Sequence, residues 1–123
     1  MKKKQKVWEK IEFPGIDNSL ITSMDDISCF EAAGKNFIIF LVNGKELKVK
    51  RFLKFLEGRL DPDKFYRCHD GYIVNLYRVE KYKAVGSFLQ ATLTGGKKAL
   101  VCKRKVAEFK KLFKYIAGLP RES

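Results

Sequence analysis

The chain is poor in the residues that most catalytic and metal sites need. It has one histidine, His69, one tryptophan and three prolines among 123 residues. A lone imidazole cannot supply the grouped ligands of a zinc site, and general acid–base chemistry lacks a positioned partner for it. Cys29, Cys68 and Cys102 are widely spaced with no C-x-x-C pair. Neither a disulfide framework nor a metal site is therefore expected, and reduced thiols in a cytoplasmic protein are. The longest apolar run, Phe37-Ile38-Ile39-Phe40-Leu41-Val42, is six residues, far short of a membrane helix and suited to a buried strand. Met1-Lys2-Lys3-Lys4 is basic but precedes no apolar stretch, so no secretory signal and no membrane association are expected. Nothing calls for a cofactor.

Acidic residues are also scarce. Asp and Glu total 14 against 26 Lys and Arg, giving a net charge of +12 and a sequence pI near 9.7. Such a surface favours polyanions, because neutralising phosphates releases condensed counterions. Membrane surfaces and acidic proteins attract the same charge, so composition alone does not choose among them. With 46% hydrophobic and 13% aromatic residues, the chain can bury one core and reads as a single folded domain.

Along the chain, short strands separated by turn chemistry predominate. Trp8 to Phe13 reads as a first strand, followed by turn residues at Pro14-Gly15 and Asp17-Asn18-Ser19. Met24 to Ala32 reads as a strand with Ile27, Cys29 and Phe30 inward. The loop Ala33-Gly34-Lys35-Asn36 leads into the apolar run, and Asn43-Gly44 then predicts a tight hairpin with positive φ at both turn positions. In the returning strand Leu47 and Val49 alternate with Glu46, Lys48 and Lys50. Positions 52, 53, 56 and 60 recur at helical spacing, which predicts a short amphipathic helix over Arg51–Leu60, closed by Asp61-Pro62. Two strands flank Asp70-Gly71, two more flank Gly86-Ser87, and Gly95-Gly96 turns the chain into Ala99-Leu100-Val101-Cys102. Val106, Phe109, Leu112, Phe113 and Ile116 predict a final helix from Val106 to Ala117 with a basic outer face. The result is mostly β with short helices, lacking both the strand–helix alternation of a parallel enzyme fold and the helices of a helix-turn-helix domain.

Four segments have a family likeness in their order and spacing. They are Asp25-Asp26-Ile27-Ser28-Cys29-Phe30-Glu31-Ala32, Asn43-Gly44-Lys45, Phe65-Tyr66-Arg67-Cys68-His69 and Tyr72-Ile73-Val74-Asn75. Over about residues 20–117 the chain resembles LytTR DNA-binding domains. The resemblance implies elongated antiparallel β-sheets of the LytTR type plus a C-terminal helix, a basic N-terminal segment over 1–18, the domain over 19–117 and a tail over 118–123. It also implies a bacterial transcription regulator, akin to response regulators but standing alone without a receiver domain. Such domains insert loops between strands into duplex DNA and bind repeat sites as pairs, or as a homodimer.

By position, the resemblance places base contacts at Asn36 or its neighbour Phe37, at Asp70 and at Arg104. A guanidinium can donate two parallel bonds to guanine O6 and N7, and an Asn amide can pair with adenine. Asp70 departs from the family's usual polar pair after the histidine. Either it accepts from cytosine N4, or phosphate repulsion has removed this loop from the bases. Contacts to the DNA backbone are expected from Lys35, Arg67, His69, Asn75, Lys103, Lys105, Lys110 and Lys111. Arg67 and Asn75 equally suit a role in tying down turns, and His69 suits a hydrogen bond that fixes its loop. Neighbouring strand residues point to opposite faces, so Cys68, His69 and Asp70 are not expected to form a catalytic group. Phe37, Phe40, Phe65, Tyr72 and Phe88 are expected in the core. The competing readings are a small basic RNA-binding β-domain, which would need exposed stacking aromatics, and a protein- or lipid-binding module.

Overall fold

The structure is a computed structural model that describes residues 10–11 and 22–119. Ten strands, four short 3-10 turns and one α-helix make up the described elements. Strands β1 (Lys10–Ile11) and β2 (Thr22–Ser23) pair with each other. A five-stranded sheet follows, with β3 (Ile27–Ala33), β4 (Asn36–Leu41), β5 (Glu46–Val49), β6 (Phe65–His69) and β7 (Tyr72–Asn75) in the spatial order β5-β4-β3-β7-β6. Strands β8 (Val79–Val85), β9 (Phe88–Leu93) and β10 (Lys98–Val101) form a three-stranded meander, and α1 spans Val106–Ala117. All pairings are antiparallel.

The large sheet is covered on both faces, which explains why Ile27, Ser28, Cys29 and Phe30 are all buried in its central strand. One face carries Phe30, Phe37, Ile39, Val49 and Phe65 against Leu53 and Leu56. The other carries Cys29, Cys68 and Val74 against Leu89, Ala91 and Val101 of the meander and Phe109 of α1. Alternation sorts neighbours between the clusters: Ile73 belongs to the first and Val74 to the second. Fully burying a Phe or Leu contributes about 1.5–3 kcal/mol, whereas an exposed ion pair contributes at most about 1. The two apolar clusters, not the few ion pairs, therefore hold the layers together.

Three sequence expectations need correction. The predicted helix over Arg51–Leu60 is a single 3-10 turn, Leu53–Leu56, with Gly58 at φ 76 beyond it. Leu53 and Leu56 point inward, but Phe52 is 62% exposed, so the helical spacing reflected one short turn with a flanking apolar residue. The strand expected from Met24 starts at Ile27, because Ser23 caps a 3-10 turn over Met24–Asp26. The Asn43-Gly44 hairpin exists, but only Gly44 has positive φ, at 88°. Gly44 N–H donates to Leu41 O and Leu41 N–H to Lys45 O, while the Asn43 side chain accepts from Lys45 N–H. This is a three-residue loop with glycine in the left-handed position. The first strand is seen over Lys10–Ile11; the rest of Trp8–Phe13 and the turns after it lie outside the described residues. The final helix and the Asp70-Gly71 and Gly86-Ser87 hairpins stand where expected.

At the edges, β5 exposes Glu46 and Lys48, and β8 exposes Glu80, Lys81 and Lys83. Strand β6 is flanked by the end of the meander, where Cys102 N–H donates to Cys68 O at 2.9 Å.

Candidate nucleic-acid interface

Four turns meet at one end of the layered sheets. Strand pairing of Glu31 with Tyr72, and Ala32 N–H donating to Gly71 O at 2.9 Å, set the β3–β4 turn at Gly34-Lys35 beside the β6–β7 turn at Asp70-Gly71. The connection from β10 to α1 arrives alongside. Its Arg104 Nη2 lies 3.9 Å from Asp70 Oδ1, and Lys105 Nζ donates to Arg67 O at 2.8 Å. The β8–β9 turn completes the group, with the Phe88 ring centroid 6.5 Å from that of His69.

Hydrogen bonds within the Asp70-Gly71 turn fix its shape. His69 Nδ1 accepts from Gly71 N–H at 2.9 Å, so a neutral ring carries its proton on Nε2. Arg67 Nη2 donates to Asp70 O at 2.6 Å. Arg67 and Lys105 thus brace the turn, and both are only half-exposed. By contrast, the side chains of Asp70 and Arg104 are 92% and 76% exposed, in a loose pair that solvent largely screens. Lys35, Lys103, Lys110 and Lys111 are exposed, and Asn36 is half-buried at the start of β4. On α1 the nearby acid is already engaged, since Glu108 Oε1 accepts from Tyr66 OH at 2.5 Å.

Asn75 does not join this surface. It is 2% exposed, and its amide donates to Ile27 O at 2.9 Å and accepts from Tyr77 N–H at 3.0 Å. Its backbone-contact role is withdrawn, because the amide is buried and bonded on both sides. Phe88 departs in the other direction: expected in the core, it is 37% exposed at the hairpin tip, next to Val85 at 45%. Their position directly beside the Gly86-Ser87 turn was the available signal, because a tight hairpin tip has little packed against it.

The cysteine–histidine–aspartate run does not converge. Cys68 Sγ turns inward toward Leu100 O at 3.3 Å, and burial pushes its thiol up to about 12, as it does that of Cys29. Behind the turns, Glu31 accepts from Lys97 Nζ and Tyr72 OH, each at 2.8 Å. Burial alone would raise the Glu31 carboxyl, but these two donors outweigh it and hold the group below the ordinary carboxylate range. Lys97 also lies over the Phe40 ring at 4.1 Å, tying the meander to the large sheet. Among the described residues no group of His, Cys, Asp and Glu could hold a metal ion, and no helix is long and apolar enough to cross a membrane.

Comparison with known proteins decides the family. Residues 17–114 match the family described as the LytTr DNA-binding domain. The chain belongs to the LytTR family. Accessory gene regulator protein A of Staphylococcus aureus strain N315 is 34% identical to it over 73 residues, and the same holds for accessory gene regulator A of strain COL. That stretch covers 58% of this chain and only 30% of either relative's length. A solved LytTr DNA-binding domain of a methyl-accepting/DNA response regulator from Bacillus cereus superposes with a TM-score of 0.66 at 20% identity, covering 89% of this chain and 95% of that one. The mostly β, antiparallel LytTR architecture and its C-terminal helix are thereby established, and as a LytTR domain the chain is a DNA-binding module.

Proposed function

We propose that this LytTR domain regulates transcription by reading duplex DNA sequence with the turns that meet beside His69. The observation carrying this reading is the convergence of Arg104, Asp70 and the Lys35-Asn36 turn at one exposed end, held by internal bonds from Arg67 and His69. A recognition surface must be ordered before it meets DNA, since ordering it on binding costs affinity.

Arg104 is the principal base reader, donating to a guanine edge. Asn36 reads an adenine and Asp70 accepts from a cytosine amine. Lys35, Lys103, Lys110 and Lys111 contact phosphates, with His69 Nε2–H as a further donor. Arg67 and Lys105 act chiefly by shaping the turn. The domain works alone or as two copies on a repeat site.

Selection of bound sequences from random duplexes tests the whole reading. A conserved motif containing a G·C pair should emerge, and duplex carrying it should compete at least about tenfold better than single-stranded RNA of equal length. Recovery of no motif, or parity with RNA, would overturn it.

A further inference from the structure

A concave site adjoins the β3–β4 turn of the reading end, with Ala32 and Gly34 in its lining. It is a groove of about 620 Å³, within the usual range for small-ligand sites. Phe52, Leu53 and Phe55 give it an apolar lining, and Arg51, Lys54 and Arg67 give it three cations with no acid among the lining residues. The Arg51 guanidinium lies 5.4 Å from the centre of the Phe55 ring. Most telling is Arg67, whose Nε is buried and makes no hydrogen bond. A buried donor of this kind is uncommon, and a small shift of the side chain toward the groove would let it meet an acceptor bound there.

We propose that this groove binds a small carboxylate carrying a flat apolar body, and that its occupancy is transmitted to the Asp70-Gly71 turn. Cations with no acid call for an anion, while the phenyl rings call for an apolar body that a bare phosphate lacks. A second copy of a chain carrying +12 would be repelled by the same three cations. Transmission follows from two groove residues that hold the turn: Ala32 N–H donates to Gly71 O, and Arg67 Nη2 to Asp70 O. A carboxylate drawing on the Arg67 Nε edge competes for that guanidinium and loosens the turn. The transmitted effect rests on the DNA-reading role proposed above; the binding site does not.

The test uses 2-naphthoate as probe, followed by amide NMR on the full chain. Binding should saturate with a Kd of about 1 mM or tighter. The shifted amides should cluster at residues 32–34, 51–55 and 67–71. The neutral 2-naphthamide should bind at least about tenfold more weakly. Phe52→Ala and Lys54→Ala should each weaken naphthoate at least about threefold while leaving the melting curve and DNA affinity unchanged. Equal binding of the amide, unaltered affinity in both variants, or shifts centred on the α1 lysines would overturn the site. So would shifts at residues 51–55 that appear on concentrating the protein without probe, or on adding duplex DNA, since a second copy or DNA would then be the occupant. Saturating naphthoate should also weaken binding of a selected duplex about threefold in the native chain but not in Phe52→Ala. Unchanged DNA affinity with the groove occupied would overturn the transmission. Failure to bind DNA without naphthoate would instead condemn the DNA-reading role.

Discussion

The two ends of the layered sheets use the same residue types in opposite ways. At the end away from the reading turns, several polar side chains are consumed by the fold. Arg78 donates through Nε and Nη2 to Asp25 O, Ser28 Oγ donates to Thr94 O, and Asn75 is bonded on both sides. Gly95, at φ 97, sits so tightly on the β4–β5 hairpin that an added Cβ would lie 2.7 Å from Leu41 O. At the reading end, Arg104, Asp70 and Lys35 stay exposed, and only Arg67, His69 and Lys105 turn inward to hold the turn. One end is bound to itself, and the other keeps its donors and acceptors for a partner.

Substitutions can break this contrast, and the largest effect is expected at the far end. Gly95→Ala combines a left-handed backbone with a backbone clash. It should lower unfolding free energy by about 3 kcal/mol in a denaturant titration, at the upper end of such strain. A loss below about 0.5 would mean the two hairpins are not locked together. Asn75→Ala leaves Ile27 O and Tyr77 N–H without their side-chain partner and should cost about 2 kcal/mol of stability. DNA preference of the folded protein should be unchanged; a selective loss of DNA affinity at full stability would return Asn75 to the interface.

At the reading end the pattern should invert. Arg104→Ala should leave stability within about 0.5 kcal/mol of the native chain, yet cost about 1–3 kcal/mol of discrimination at one base pair. Uniform weakening across all sequences would make it a phosphate contact instead. Asp70→Ala sharpens the point, because a cytosine reader should lose preference at one position, by about 1 kcal/mol. Tighter binding to every duplex would show a carboxylate that merely restrains Arg104. The smallest effects belong to Lys110→Ala and Lys111→Ala, each lowering the slope of log affinity against log salt by about 0.9 without altering preference. A constant slope would place that face of α1 away from DNA.

These contrasts also explain what the sequence could convey. Turn positions, the final helix and the family likeness were legible because glycine pairs, apolar periodicity and the Phe65–Asn75 block are local signals. Whether an Arg or Asn faces solvent was not, since Arg78 and Arg104, or Asn75 and Asn36, differ only in what the tertiary fold places beside them. The predicted helix over Arg51–Leu60 failed for a related reason: apolar spacing records which residues meet a core, and one 3-10 turn satisfies most of it. Phe88 departs from its expected burial because hydrophobicity points inward, while its place beside a hairpin tip leaves it partly in solvent.

The sheet margins have a separate consequence. Free strand borders invite foreign chains to add on by backbone pairing, a route to fibres. Here the β5 and β8 borders present charged side chains, mostly lysines, and β6 runs into the β10–α1 connection through Cys102. Like charges on adjoining molecules hinder lateral stacking, so these exposed strand borders resist edge-to-edge pairing while the basic surface stays open to nucleic acid.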